Sequence, residues 1–452
     1  MFSGGVQYSI CDAMIDNLNF RRDGWLNYLP NDDGEGAVAT RLRVDVGEIN
    51  VTRNISKRAG GESEAINVSL LPLAEFFANA WWSLLYEPLK PSIAESFKIR
   101  HRLDVSMRGY SFPAGALYSG GDKSIVIDWD IVENPYSNIS FLTPRPTEPI
   151  QLDRKNTEDS IIDLVESVLE RSNNAKSRLR LLQESWNRIK TSMEDPDEFG
   201  YCTIAGRLGL DPYDPDTPDL AQLAGSLSEG LLGDLSDAMN LDELGQAVSW
   251  LSELEPRLAL FPEVSLRDFG NPSEDDLDGP AWLAGENSAI ALRENTGFRN
   301  EHPKKAVDEL LGSAVFFDGL AEKIESNSLT SIVRRLESSA RIATIARSAR
   351  QRRFRACAAT YIAWTSMPGV DRATTEAITR RQQASRAFAA EMLAPKKALC
   401  GLASRNGFDS DDLEDIASDF ICPYPTVMWQ AYRAGIPLRG IELPFGGRTR
   451  IF

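Results

Sequence analysis

Apolar and polar residues alternate through 41–55, RLRVDVGEINVTRNI, as they do along a strand with one buried face. A second short strand is predicted at 66–73, INVSLLPL. It leads into AEFFANAWWSLLYEP, where apolar positions recur at helical spacing and carry Trp81 and Trp82. That aromatic helix either packs the N-terminal sheet onto the region behind it or exposes part of a partner surface. SIVIDWDIV, 124–132, is apolar enough to be a central strand. The preceding FPAGALYSGGDKS has glycines and a lysine, but not at the spacing of a phosphate loop, so a turn is expected there. FLTPRPTEPIQLD then sets prolines where they stop helix and sheet alike. A boundary near 143–153 closes a mixed α/β domain over 1–150.

Residues 151–279 read as a helical region. Two amphipathic stretches break near Ser172-Asn173-Asn174, and Pro212, Pro215 and Pro218 make the turn between two later helices. LDELGQAVSWLSELEPRLALF adds another helix before an acidic loop, NPSEDDLDGP. From residue 280 the pattern gives a helix ending at Gly297, a short helix entered through Pro303, and an edge strand at 339–348. Helices are then expected at 350–366, 374–395, 409–420 and 425–436. The fold class is α+β, predominantly helical.

Charge and chemistry narrow the function classes. A net charge of −17 repels nucleic acid and anionic membrane at long range, though it leaves room for a local basic patch. Cys11, Cys202, Cys357, Cys400 and Cys422 are scattered, with no CxxC pair, so reduced thiols are expected rather than a disulfide framework. The N-terminus has no signal-peptide pattern and no window is apolar enough to span a bilayer, which points to a cytoplasmic protein without membrane attachment. No GxSxG, Walker or Rossmann frame occurs. DPYDPDTPD lacks the glycine and glutamate of a calcium loop and reads as a proline-stiffened connection.

Three features of the last third belong together. Arg353-Phe354 opens the helix after the 339–348 strand. Phe388-Ala389-Ala390-Glu391-Met392-Leu393-Ala394-Pro395 ends the next one, and Leu413 to Gly435 forms a closing helix pair. In this order the chain resembles the ImmA/IrrE-like zinc metallopeptidase family. Its members run from a strand to a helix with an Arg-Phe pair leading into HExxH. A second helix carries a glutamate and then FAAxLLxP, before short closing helices. The likeness covers roughly 280–440, and phrases at 69–88 and 208–215 resemble longer members with an extra N-terminal region. It implies a zincin-like domain over 280–452.

HExxH works because histidines four apart share a helix face and grip one zinc, while the glutamate between them is general base to the metal-bound water. On the Arg353-Phe354 frame the motif would occupy Ala358-Ala359-Thr360-Tyr361-Ile362. The histidine positions are Ala358 and Ile362, the base position is Ala359, and the third ligand falls at Gln382. The two histidines of the chain, His101 and His302, are far apart and outside this frame. Cys357, with Phe354, Tyr361 and Ile362 as helical neighbours, reads as a core thiol.

Arginines are dense around this motif: Arg341, Arg347, Arg350, Arg352, Arg353 and Arg355, then Arg380, Arg381 and Arg386 on the following helix. Arg347, Arg350, Arg352, Arg355, Arg380 and Arg381 are the candidate binding residues. They either share a face for phosphate, nucleic acid or an acidic partner, or pair internally with acidic segments such as 273–278 and 409–415. The expectation is a catalytically inactive pseudo-peptidase without metal or cofactor. It would bind a macromolecule, a repressor-like or acidic protein or else nucleic acid, in bacterial stress, mobile-element or phage-defence regulation. An active peptidase with other ligands, or a different hydrolase in the N-terminal domain, is the alternative.

Overall fold

The computed structural model describes residues 17–26, 36–90, 95–171, 177–220, 225, 227–270, 279–299, 301–316 and 328–442. Cys11, Pro91, the break at 172–174 and the acidic stretch 271–278 lie outside the described residues. The protein is a mixed α+β structure with small antiparallel sheets. Among the described residues no helix is long and apolar enough to cross a membrane.

The first sheet joins β1 (Leu18–Trp25), β2 (Ala39–Val46), β3 (Ile49–Asn50) and β6 (Ile66–Ser69), which pairs with β2, while β4 (Asn54–Ser56) and β5 (Glu62–Ser63) lie between β3 and β6 in the chain. The single strand expected over 41–55 is therefore corrected. Gly47, at φ 58°, turns the chain back so that Val46 pairs with Ile49, and β4 leaves for another sheet. After β6 comes α1 (Leu71–Tyr86), with Trp81 and Trp82 both buried. The aromatic helix is a packing element. Trp81 meets Trp186 edge-on at 5.4 Å, and the Trp82 indole donates to the Tyr213 hydroxyl at 3.0 Å.

Short helices α2 (Glu95–His101) and α3 (Leu103–Ser106) lead to β7 (Ala114–Gly121) and β8 (Ser124–Asp130). The expected turn before β8 is thus itself a strand. Its small residues suit a sheet covered on both faces. Leu117, Ile125, Ile127 and Trp129 face the first core, while Ala116, Tyr118 and Val126 meet Leu89, Phe97 and, from the C-terminal part, Ile378. As expected, β8 is central. β9 (Ile139–Phe141) pairs with β4, and β10 (Ile150–Asp153) pairs with β8. The proline connector is thus tied into the sheet, with Trp129 donating to the Pro144 carbonyl at 3.0 Å.

β10 runs directly into α4 (Arg154–Arg171), then α5 (Ser177–Glu194) and α6 (Pro196–Arg207), and the first core continues as far as Cys202. A Cβ on Gly206 would lie 2.4 Å from the Trp82 carbonyl oxygen, so only glycine allows α6 this approach to α1. The 211–217 turn is closed by Asp side chains accepting backbone N–H groups, Tyr213 on Asp211 and Asp216 on Asp214, both at 2.9 Å.

Helices α7 (Glu229–Ser236) and α8 (Leu241–Leu258) form a third apolar cluster against one face of the C-terminal sheet. That sheet has the order β11 (Glu263–Ser265), β13 (Ser339–Thr344), β12 (Leu329–Arg335), β14 (Asp371–Thr375). The 339–348 strand is therefore internal rather than an edge, because β11, which its sequence pattern did not reveal, covers its outer side. On the other face lie α9 (Ala281–Asn295), α10 (Pro303–Leu311), α11 (Ala349–Thr365) and α12 (Arg380–Leu393), closed by α13 (Lys396–Leu402), α14 (Ser410–Phe420) and α15 (Tyr424–Arg433). The helix expected from residue 374 starts later, since Thr374 and Thr375 still pair in β14.

Candidate functional site

The motif positions lie on α11 and α12. Ser348 starts α11 by accepting the Gln351 N–H at 3.2 Å. Phe388 of α12 packs on Tyr361 and Trp364, with ring centroids 5.3 and 6.2 Å apart. Ala358, Ala359 and Ile362 are 4%, 0% and 0% exposed and belong to that same apolar core. Gln382 is buried as well, and its amide is occupied. Oε1 accepts from Thr375 N at 3.0 Å, and Nε2 donates to the Ala373 carbonyl at 2.8 Å. It serves strand β14. Ala358, Ala359 and Ile362 thus present only apolar side chains to their surroundings.

The histidines sit elsewhere. His101 is fully buried, between the Leu117 carbonyl at 2.7 Å and the Glu87 carboxylate at 3.0 Å. His302 is on the surface, 2.9 Å from Asp419. Among the described residues no three His, Cys, Asp or Glu side chains are grouped to hold a metal ion. Burial pushes the Cys357 thiol up to about 12, which leaves it protonated and a poor nucleophile.

The arginines divide between several acceptors. Arg341 pairs with Glu263 at 2.9 Å. Arg347 is exposed, Arg352 half-buried. Arg350 reaches Glu414 at 2.7 Å and the Ser418 hydroxyl at 2.6 Å, so it engages the acidic α14. Arg353 turns inward to Asp308, and Arg355 donates to the Ile345 carbonyl. On α12, Arg386 caps the Thr375 and Ala377 carbonyls at 3.0 and 2.9 Å. Arg380, 3% exposed, donates to Gln151 Oε1 at 2.6 Å and to the Gly279 carbonyl at 2.9 Å. Arg381 approaches Asp122 and Asp234 at 3.4 and 3.9 Å. Arg350 thus serves the closing helices, whereas Arg380 and Arg381 face the N-terminal sheet.

That second contact opens onto a charged junction that no local motif announced. Asp122, at the β7–β8 turn, meets Arg207 of α6 at 2.8 Å, Arg381 at 3.4 Å and Arg372 of β14 at 4.0 Å. Behind them Asp237 pairs with Arg207 at 2.9 Å and Asp234 with Arg372 at 3.5 Å, while Asp234 also accepts the Ala373 N–H at 2.9 Å. Burial opposes ionisation of Asp122, yet Arg207 and Arg381 outweigh it and hold the carboxyl well below the usual range. For Asp237 burial wins despite Arg207, and it rises to about 6. Asp234 near the end of α7 and Asp237 at its C-cap stand three residues apart. The arginines they meet come from two regions of the chain, Arg207 from α6 and Arg372 and Arg381 from β14 and the start of α12.

A second buried polar group lies at the far end of α12. Glu391, 4% exposed, accepts from Gln430 Nε2 at 2.7 Å and from Lys396 N at 3.3 Å. Burial, with Glu286 nearby, lifts its carboxyl to about 7. No family model, curated protein or solved structure matches the chain.

Proposed function

We propose that this chain is a catalytically inactive, ImmA/IrrE-like pseudo-metallopeptidase that acts as a binding protein in the cytoplasm. Its implied setting is the regulation of bacterial stress responses, mobile elements or phage defence. The observation that carries the reading is the α11–α12 pair. At the four positions where the family places zinc ligands and base, this chain has Ala358, Ala359, Ile362 and Gln382, all at most 4% exposed. An alanine or isoleucine offers no lone pair to zinc, and the Gln382 amide is already committed to β14. Binding therefore falls to surfaces outside the helix pair. A protein partner is favoured over nucleic acid, because Arg350, Arg380 and Arg381 are engaged by internal acceptors and the overall charge is −17.

Metal analysis and protease assay of the purified full chain test this together. The expected result is substoichiometric zinc and no hydrolysis of a casein substrate. Stoichiometric zinc, lost to a chelator together with proteolysis, would overturn it and favour an active peptidase with unconventional ligands.

A further inference from the structure

We propose that Arg207, Arg372 and Arg381 form a carboxylate-binding nest that the chain fills with its own Asp122, and that an acidic peptide segment of a partner protein replaces Asp122 when the β7–β8 hairpin is displaced. The proposal rests on the binding-protein reading above, but its test is separate from the zinc assay.

The occupant is accessible. Asp122 sits at a tight turn, with Gly121 at φ 117°, and its side chain is 42% exposed. The side chain is thus partly open to solvent, while its carboxylate lies among three guanidinium groups. The nest is anchored without it. Arg207 donates to the Gly233 carbonyl at 3.2 Å and pairs with Asp237 at 2.9 Å. Arg372 donates to the Gly230 carbonyl at 3.1 Å and pairs with Asp234 at 3.5 Å, and Arg381 lies 3.9 Å from the same Asp234. These contacts persist if Asp122 leaves, so the donors stay preorganised for another acceptor. The hairpin tip is held separately, by Arg154 donating to the Gly121 and Asp122 carbonyls at 2.8 and 2.9 Å.

Charge selects the ligand class. Without Asp122, three arginines face two aspartates, Asp234 and Asp237, which leaves one excess positive charge. One carboxylate matches that excess. The chain's own occupant is a side-chain carboxylate, so the geometry that holds Asp122 suits that group. In cis, Asp122 acts at high effective concentration, so an outside carboxylate competes weakly until the hairpin is weakened or further contacts join.

The test measures binding of a labelled hexaglutamate peptide to the full chain by fluorescence anisotropy, beside a single-stranded oligonucleotide of equal net charge. Asp122→Asn keeps the shape of the turn and removes the charge. It is expected to bind hexaglutamate roughly tenfold more tightly than wild type. Adding Arg381→Ala should abolish the gain. No gain, a gain that survives Arg381→Ala, or an equal gain for the oligonucleotide overturns the proposal. Should Asp122→Asn not fold, amide exchange of the wild type decides. Saturating hexaglutamate then accelerates exchange at the hairpin tip, residues 121–124, and unchanged exchange there overturns it.

Discussion

At the α11–α12 pair, side chains meet as apolar volumes. Ala359, Ile362 and Phe388 are each fully buried, and the polar Gln382 is spent on the neighbouring strand. At the Asp122 junction, three arginines and three aspartates meet instead, and part of the cluster reaches solvent. The first site holds together by excluded water and tight contact, which is insensitive to salt. The second holds by matched charge, which is not. The region whose local sequence resembles an active site is thus packed as apolar core, and the charged region carries no motif. Burial raises Asp234 and Asp237 at the junction as well, so the contrast lies between Glu391 and Asp122. Glu391, at the end of α12, has burial as its dominant influence and is raised, whereas the arginines around Asp122 overcome burial and lower it.

The comparison is broken most severely by Phe388→Ala. It removes the fully buried ring that Tyr361 and Trp364 pack against. A loss of about 3–5 kcal/mol is expected in urea unfolding, changing little between low and high salt. A loss below about 1 kcal/mol would mean the pair is loosely packed and able to open into a groove.

Next comes pH. Glu391 is raised in the folded chain, to about 7 from its ordinary 4.5, so the folded state holds a proton the unfolded state has released. Stability therefore falls as pH rises from 4.5 through 7, and the full penalty, about 3 kcal/mol, is present above that range. Glu391→Gln should remove most of this fall, measured as unfolding midpoints between pH 5 and about 8. An unchanged profile would mean that Glu391 is ionised at low cost. Asp122 has the opposite sign. Its stabilisation is present above the unfolded value of 3.8 and disappears as pH falls through the lower folded value.

The smallest effect is expected for Arg350→Ala. Glu414 is 53% exposed, so the pair is worth less than about 1 kcal/mol. A greater loss in thermal unfolding would mean that the arginines of α11 hold α14 in place and are not a surface feature.

Much of the local structure was legible. Helical spacing marks α1, Gly297 stops the helix before it, and prolines enter or end several others, because these signals act within one turn of chain. The hairpin at Gly47 and the strand β7 were not. Alternation continues through the turn at Gly47, and β7 is rich in alanine and glycine because both its faces are covered, a reason that lies in its neighbours. The residue types at Ala358, Ala359, Ile362 and Gln382, where the resemblance would place zinc ligands and base, are likewise a matter of residue identity and legible in the sequence.

The sequence by itself determined which side chains the motif positions carry, where most helices begin and end, and that arginines crowd α11 and α12. Only the tertiary structure decided what those arginines do. A guanidinium reaches a few ångströms, and its partners here lie far along the chain: Glu414 for Arg350, Gln151 for Arg380, Asp122 for Arg381. Whether such a charge is free or neutralised depends on which distant segments folding brings within that reach.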